Sequence, residues 1–181
     1  LGRLNVCSKE YVIRQYDPMG RWVEYEYDDA SNRIARADTL SRRYEYVYDS
    51  RNRRIRDIDP LGGMVDYGYD NRSNLVFLAN ANDDTTYFEY DLNGRKRFEI
   101  DPLGRATEYQ YTDAGLLWKH ITAMDDTLEY VYDAAGRAEQ KLMPDDLREW
   151  DYDAVGNITR IEDSDSRIIR TYDAVSRMLT E

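Results

Sequence analysis

The stretch Tyr130-Val131-Tyr132-Asp133-Ala134-Ala135-Gly136-Arg137 is the clearest copy of a unit that the 181-residue chain contains eight times. We call its second tyrosine the register tyrosine. The register tyrosines are Tyr27, Tyr48, Tyr69, Tyr90, Tyr111, Tyr132, Tyr152 and Tyr172, so that the period is 21 five times and then 20 twice. A fixed period of this length is the sequence signature of a repeat array.

Each repeat reads as a strand that ends in a tight turn. Seven of the eight copies carry an aromatic residue two positions before the register tyrosine, at Tyr25, Tyr46, Tyr67, Phe88, Tyr109, Tyr130 and Trp150. Aspartate follows the register tyrosine at Asp28, Asp49, Asp70, Asp91, Asp133, Asp153 and Asp173, and Thr112 replaces it in the remaining copy. A turn-forming residue comes four positions after the register tyrosine, at Gly94, Gly115, Gly136 and Gly156 and otherwise at Ser31, Asn52, Ser73 and Ser176. Aromatic residues two apart share one face of a strand, and aspartate in this position can bond the backbone of its own turn.

A second series of turns alternates with the first. Asp-Pro-x-Gly occurs at Asp17-Pro18, Asp59-Pro60 and Asp101-Pro102, in every second repeat, and the copies between them begin at Asp38, Asn80 and Thr122. Proline fixes φ for the first inner turn position, and aspartate can cap the reversal. We expect the two series to differ in chemistry, and we hypothesise a superperiod of two repeats. After Pro144 the period falls to 20, and we expect Asp145-Asp146 to form the shortened turn.

The predicted fold is all-β. Eight hairpins give roughly sixteen strands, in an antiparallel sheet that must curl because open twisted sheets rarely exceed about ten strands. A helical coiled coil is excluded, since aromatic residues two apart would point to different sides of a helix. We predict an edge strand or incoming connection over residues 1–15 and repeats over 16–181. We expect the chain to be a fragment of a longer array.

Composition excludes several classes of function. The net charge of −11 disfavours nucleic acid as a partner. One cysteine (Cys7) and one histidine (His120) cannot form a disulfide or a Cys/His metal site, and as a nucleophile and base they lie 113 positions apart. We therefore predict no metal and no cofactor. The chain contains no apolar run long enough to span a membrane and no recognisable targeting signal. Arginines that recur after the turns, at Arg33, Arg53, Arg95, Arg137 and Arg177, are expected to form cross-strand pairs with acidic residues.

The Tyr-x-Tyr-Asp-x-x-Gly-Arg units and the Asp-Pro-Leu-Gly turns resemble the YD repeats of Rhs proteins, which also occur in the C components of bacterial Tc toxins and in teneurins. The resemblance covers about residues 16–181. It implies a β-strand spiral that forms part of a hollow shell around a C-terminal toxin domain. It also implies export from bacteria as an effector in bacterial competition, with the rest of the shell, the enclosed toxin and an immunity protein as partners.

The resemblance raises the question of self-cleavage, because Rhs shells commonly end in an aspartyl site built on Asp-Pro-x-Gly-Leu. Asp59-Pro60-Leu61-Gly62-Gly63 resembles its start, but Met64 continues into an ordinary repeat, and Asp101 fits no better. We therefore predict structural turns and no catalytic residue, so that the chain is not an enzyme.

Two other functions compete with the structural one. The first is an aromatic-repeat module that binds carbohydrate or choline of a cell wall, although Trp22, Trp118 and Trp150 fall in unrelated phases of the repeat. The second is a carboxylate-dependent hydrolase, for which no acidic pair stands out from its repeat equivalents.

Overall fold

The computed structural model describes residues 4–7 and 10–181, which divide into two compact units, Leu1–Phe88 and Glu89–Glu181. The expectation for residues 1–3, 8 and 9 lies outside the described residues. Strand β9 contains the boundary between the units, and each unit is described by itself below.

The first unit is a meander in which each strand pairs antiparallel with the next strand along the chain. Its strands are β1 (Leu4–Cys7), β2 (Glu10–Tyr16), β3 (Trp22–Tyr27), β4 (Arg33–Asp38), β5 (Arg43–Tyr48), β6 (Arg54–Ile58), β7 (Met64–Tyr69), β8 (Leu75–Ala79) and β9 (Thr85–Tyr90). Strand β2 begins before the first predicted repeat, and Tyr11 on it stacks on Tyr27 with ring centres 4.7 Å apart.

The second unit continues the same pattern of antiparallel neighbours. Its strands are β10 (Lys96–Ile100), β11 (Ala106–Tyr111), β12 (Leu117–Ile121), β13 (Thr127–Tyr132), β14 (Ala138–Met143), β15 (Asp146–Tyr152), β16 (Ile158–Glu162), β17 (Arg167–Ile169), β18 (Thr171–Tyr172) and β19 (Met178–Thr180). The predicted all-β array of antiparallel hairpins is confirmed. Among the described residues there is no helix that could cross a membrane.

The sheet has almost no core. Across residues 11–181 only Ala35 and Asp38 are fully buried, at 1% and 6% exposure. Ala35 lies in register between Glu26 and Glu45, and Arg43 binds both carboxylates, so this ion-pair bridge covers the small side chain. Since most apolar side chains stay half-buried at best, hydrogen bonds and contacts between neighbouring strands contribute a large share of the stability.

Loop length explains the change of period. In the second series of turns, the turn between β14 and β15 has a loop of only two residues, Pro144 and Asp145, because Met143 pairs with Asp146. The last turn of this series is equally short, with Asp163 N–H bonded to the carbonyl of Ser166. Earlier turns contain three loop residues, so each shortened turn removes one residue from the period. The expected turn at Asp145-Asp146 was displaced by one position, because Asp146 already belongs to β15.

Gly68 occupies a strand position that carries a side chain in the other repeats, and the ring of Phe77 on the paired strand fills the space. A Cβ on Gly68 would lie 1.9 Å from Cε1 of Phe77. The aromatic ring therefore covers the glycine across the strand pair, and a methyl group there must displace it.

We expect Gly68→Ala to lower the free energy of unfolding by about 1–3 kcal/mol, the usual cost of forcing an extra carbon into a filled space. Urea denaturation followed by circular dichroism measures this. The double variant Gly68→Ala, Phe77→Val lacks the ring and should recover part of the loss. A single variant as stable as the parent chain would show that Phe77 moves aside freely.

Candidate functional site

The turns that follow the register tyrosines, here called tyrosine-side turns, close through their aspartate. In the clearest copy Asp133 N–H donates to the carbonyl of Arg137, and Gly136 N–H donates to the carbonyl of Asp133, both at 2.9 Å. One carboxylate oxygen of Asp133 accepts from the N–H groups of Ala135 and Arg137 at 2.8 and 2.9 Å. The other accepts from Nε of Arg137 at 2.6 Å. One aspartate thus holds both the backbone and the closing side chain of its turn.

The other predicted aspartates form the same set of bonds. Each accepts from the N–H groups two and four residues later, at Asp28, Asp49, Asp70, Asp91, Asp153 and Asp173. The closing residues also bond the second carboxylate oxygen, from Asn32, Arg53, Asn74, Arg95, Asn157 and Arg177. Where Thr112 replaces aspartate, its hydroxyl accepts from the N–H of Leu116 at 3.1 Å.

The fourth residue after each register tyrosine has a positive φ, which the three-residue loop of this hairpin type requires. Glycine adopts this conformation without strain at Gly94, Gly115, Gly136 and Gly156. Serine or asparagine takes it at Ser31, Asn52, Ser73 and Ser176, with φ between 58° and 70°. Asparagine is among the few other residues enriched in this region of φ, and the turn bonds hold all four in place.

The proline-side turns alternate with the tyrosine-side turns, and the six that have three-residue loops share their geometry. Asp59 accepts from the N–H groups of Leu61 and Gly63 at 2.7 and 2.9 Å. The same bonds form at Asp17 and Asp101, and also at Asp38, Asn80 and Thr122, where proline is missing.

The expected difference in chemistry between the two series of turns was therefore wrong, and the two-repeat superperiod has no counterpart in turn geometry. The fourth turn position has a positive φ with or without proline, as at Gly20 and Ser41. Both kinds of turn need only an acceptor at the first position and a residue that tolerates this φ at the fourth. Pro18, Pro60 and Pro102 merely fix a φ that other residues also adopt.

The two sides of the sheet differ in the strands next to the turns. Every described strand pair that ends in a tyrosine-side turn has a register shift just before the register tyrosine, so that Tyr27 pairs with Arg33 while Glu26 pairs with Ala35. This is a β-bulge, which leaves one extra residue on the return strand. None of the described pairs that end in proline-side turns has this shift.

Register tyrosines bridge the repeats at these bulges. The hydroxyl of Tyr48 donates to the carbonyl of Arg33, the residue opposite the preceding register tyrosine, at 3.1 Å. Equivalent bonds of 2.5–2.9 Å run from Tyr69, Tyr111, Tyr132, Tyr152 and Tyr172 to the matching carbonyls of the preceding repeats. The strand ladder between β4 and β5 stops at Ala35 and Glu45, so the tyrosine side chain continues the connection beyond its end. We call this arrangement the repeat junction.

Arginine strengthens the junction where it closes the turn. Arg53 bonds Asp49 of its own turn, lies over the ring of Tyr69 at 4.7 Å and donates to the carbonyl of Asp70 at 2.9 Å. Arg95 and Arg137 make the same three contacts with their own aspartate, the next register tyrosine and the next turn. The arginine therefore neutralises one aspartate and joins two repeats.

The expectation for the recurring arginines needs one correction. Arg53, Arg95, Arg137 and Arg177 pair across their turns with acidic residues, but Arg33 stands one position later in its repeat. Asn32 closes that turn instead, and Arg33 lies against the rings of Tyr25 and Tyr46 at 5.6 and 5.1 Å.

The two faces of each unit have different chemistry. One face carries cross-strand ion pairs, for example between Arg56 and Asp66 in the first unit and between Lys119 and Glu129 in the second. The other carries the aromatic residues of the repeats, with polar partners such as Asp57, which accepts from the hydroxyl of Tyr67 at 2.8 Å. In β5 the exposed and half-buried positions alternate strictly, with the tyrosines half-buried.

His120 lies on the aromatic face, stacked on Tyr109 with ring centres 4.8 Å apart. Burial and then the charges of Lys141 and Lys96 lower its pKa. The side chain of Cys7 lies outside the described residues, so the cysteine and histidine pair stays a sequence hypothesis. The described residues contain no group of three or more potential metal ligands of the His, Cys, Asp and Glu types.

Comparison with known proteins identifies the fold. No protein-family model matches the chain, and no curated protein sequence matches it either. Among solved structures, the crystal structure of TcdB2-TccC3 without its hypervariable C-terminal region matches 97% of this chain, with a TM-score of 0.66 and 13% identity. The crystal structure of TcdB2-TccC3-TEV matches 96% of this chain, with a TM-score of 0.57 and 12% identity.

A further match is the Tc holotoxin pore of Photorhabdus luminescens carrying a TccC3 mutation, at 93% coverage of this chain, a TM-score of 0.50 and 11% identity. The chain spans only 12–15% of the chains it matches. Similarity at this level of identity concerns the fold, and as a fold the predicted relation to the YD-repeat proteins is confirmed.

We expect Tyr132→Phe to lower the free energy of unfolding by about 1–3 kcal/mol, because the carbonyl of Leu117 loses its donor in a half-buried position. Chemical denaturation measures the change. Tyr87→Phe is the matched control, because Tyr87 is 52% exposed and its hydroxyl has no partner among the described residues. Equal effects of the two substitutions would contradict a special role for the junction.

We expect the fold to lose stability on acidification. Hydrogen bonds from the backbone and side chain of Arg137 hold the pKa of Asp133 below its ordinary value, so the unfolded chain takes up protons first. The contribution of Asp133 to the free energy of unfolding is complete above the ordinary aspartate pKa. It is lost as the pH falls through the lower pKa that Asp133 has in the folded chain.

Urea unfolding at a series of pH values from neutral to about 3, a range that includes the ordinary aspartate pKa, measures this dependence. Asp133→Asn should be less stable at neutral pH, and its stability should fall less steeply with acidification. Asp113→Asn changes the charge equally at a carboxylate without a described partner, and it should keep the pH dependence of the parent chain. Identical pH profiles for all three proteins would refute the role of Asp133.

Proposed function

We propose that this chain is a segment of the wall of a hollow shell, and that the shell encloses a toxin domain of the same secreted polypeptide. The observation that carries the proposal is the repeat junction, which joins neighbouring hairpins by backbone ladder and tyrosine hydroxyl, with arginine added at Arg53, Arg95 and Arg137. The similarity in fold to structures that contain TccC3 supports it.

A wall must leave few openings and must have two usable faces. Strand pairing and turn closure satisfy the backbone along the array without a second layer, which leaves both faces free. We place the ion-paired face toward solvent, because charged pairs such as Arg56 and Asp66 keep water bound at little cost. The tyrosine face then lines the interior, where amphipathic rings offer apolar surface and hydrogen bonds to an enclosed polypeptide.

The bulges give the proposed wall its curvature. A bulge bends its strand and increases local twist, and among the described strand pairs bulges occur only beside the tyrosine-side turns. One bulge per hairpin, always beside the tyrosine-side turn, would bend successive hairpins in the same direction. This supports the curled, spiralling sheet that the length of the array requires.

We also propose that the segment catalyses no reaction. Its regularly placed aspartates are engaged by their own turns, and Asp59 uses one carboxylate oxygen to accept from two backbone N–H groups. The remaining shell, the enclosed toxin and an immunity protein are the partners that the resemblance implies, with export from bacteria. The carbohydrate-binding alternative needs a row of exposed tryptophans, whereas Trp22 lies beneath the guanidinium of Arg14.

The complete reading frame provides the first test. We expect further repeats in which the register tyrosines recur with the same alternation of turns, and then a C-terminal domain without them. A reading frame that lacks either feature would contradict the proposal.

Protease protection provides the second test, on the complete polypeptide. We expect the C-terminal domain to survive digestion within the intact protein and to be degraded when expressed alone. The combined variant Tyr48→Phe, Tyr132→Phe should shorten the time of protection, whereas Tyr87→Phe should leave it unchanged. Equal digestion of the domain with and without the repeats would show that the array encloses nothing.

A further inference from the structure

The strand registers bring five side chains of the first unit together on its aromatic face. Tyr25, Arg36 and Tyr44 are in register across β3, β4 and β5. Tyr46 lies two positions after Tyr44 and therefore on the same face of β5. Arg33 lies over the rings of Tyr25 and Tyr46, which places its side chain on this face as well. We call these five residues the arginine–tyrosine patch.

The acidic residues of this face leave both patch arginines uncompensated. On strands β3–β6 the acidic residues of the aromatic face are Asp38 and Asp57. Arg42 binds Asp38 at 2.6 Å, and Arg54 binds Asp57. Neither patch arginine has an ion pair or a side-chain hydrogen bond among the described residues, and their guanidinium groups lie 5.1–5.7 Å from tyrosine ring centres instead.

The opposite face of the same strands has its arginines paired. Arg43 binds both Glu26 and Glu45, and Arg14 on β2 binds Glu24. The whole chain has a net charge of −11, so the surplus of positive charge on the aromatic face is local and does not follow from composition. Two unpaired guanidinium groups on one face create a positive potential that attracts anions.

The patch offers two kinds of contact at once. A guanidinium that lies against an aromatic ring keeps its N–H donors, and arginine binds carboxylates through two parallel hydrogen bonds. The three tyrosine rings beside the arginines supply apolar surface. All five side chains are half-buried and spread over three neighbouring strands, so the patch is part of an open sheet face. Such a surface fits an extended peptide better than a small enclosed ligand.

We propose that the arginine–tyrosine patch binds an extended acidic segment of the polypeptide that the shell encloses. Arg33 and Arg36 receive carboxylates of the segment, and the tyrosine rings contact its apolar side chains. Charge complementarity selects this partner, because a neutral or basic segment leaves both arginines without an anion. The assignment of the segment to the enclosed domain rests on the proposed shell function, whereas the binding of an acidic peptide does not.

Isothermal titration of the 181-residue chain with a short blocked peptide of Glu, Leu and Ser tests the binding. The control peptide has Gln in place of Glu. We expect saturable binding of the acidic peptide with a Kd of about 1 mM or tighter. The control should bind about 10-fold more weakly, because it cannot form the charged pairs. Added salt should weaken binding of the acidic peptide more than binding of the control.

Two variants and one control locate the binding surface. Arg33→Gln and Arg36→Gln should each weaken binding of the acidic peptide about 3–10-fold and leave the control peptide unaffected. The double variant should bind both peptides equally. Arg51→Gln removes the same charge at an exposed tyrosine-side turn, outside the patch, and should change neither. Circular dichroism verifies that each variant is folded.

Four results would overturn the proposal. They are equal binding of the two peptides by the folded parent chain, no saturation, unchanged binding by the double variant, and tighter binding of a single-stranded oligothymidine through the same arginines. The last result would assign the patch to nucleic acid.

Photo-crosslinking in the complete polypeptide tests the source of the segment. A benzoylphenylalanine introduced at position 44 should crosslink to an acidic stretch of the C-terminal domain, identified by mass spectrometry, and adding Arg33→Gln and Arg36→Gln should remove most of this product. Crosslinks only to other repeats or to a second copy of the chain would overturn the proposal.

Failure of the shell function gives a different result. The C-terminal domain would then be digested equally with and without the repeats, while the 181-residue chain still bound the acidic peptide. That result would overturn the assignment of the partner but not the binding of an acidic peptide.

Discussion

The hydrogen bond from a register tyrosine to a backbone carbonyl of the preceding repeat is the interaction on which the array depends, and it is present at Tyr48, Tyr69, Tyr111, Tyr132, Tyr152 and Tyr172. A sheet in which Ala35 and Asp38 alone are fully buried across residues 11–181 cannot rely on a hydrophobic core, and every polar backbone group that a bulge removes from the ladder must find another partner. The carbonyl opposite such a bulge lies beyond the end of the ladder with the next strand, as Arg33 lies beyond the pair of Ala35 and Glu45. The tyrosine of the next repeat reaches this carbonyl, so the distortion in one hairpin becomes the attachment point of the following one.

This coupling makes each repeat depend on its neighbours. Arg137 illustrates the point, because its guanidinium closes the turn of its own repeat and stacks on Tyr152 of the next. The free energy of unfolding of such an array is approximately the sum of the stability of each repeat and the interaction energy of each pair of neighbouring repeats, as in other repeat proteins. Burial raises the pKa of Tyr132, whose hydroxyl donates to the carbonyl of Leu117 in the preceding repeat.

The sequence predicts whatever is local to one hairpin. Strands and turns follow from alternating aromatics and from aspartate placed before a residue that accepts a positive φ, and these signals lie within one strand and the turn that follows it. The bulges and the tyrosine bridges involve residues on different strands, and the sequence pattern of one hairpin does not show which carbonyl a register tyrosine binds. The error over the proline-side turns has the same origin. Proline is conspicuous in the sequence, but the shared geometry is set by the acceptor at the first turn position, which can be Asn80 or Thr122 as well as Asp17.

The change of period shows which part of the repeat is fixed. Where the period is 21, the tyrosine bonds a carbonyl 15 positions earlier, as at Tyr111. In the two shorter repeats the separation is 14, and the bonds of Tyr152 and Tyr172 remain at 2.8 and 2.9 Å. The lost residue comes from the proline-side loop in both cases. From a register tyrosine to the residue that supplies the carbonyl the count is always six, as from Tyr132 to Ala138. The array therefore tolerates a deletion where the turn only reverses the chain, and it keeps its length where the turn, the bulge and the next tyrosine must meet.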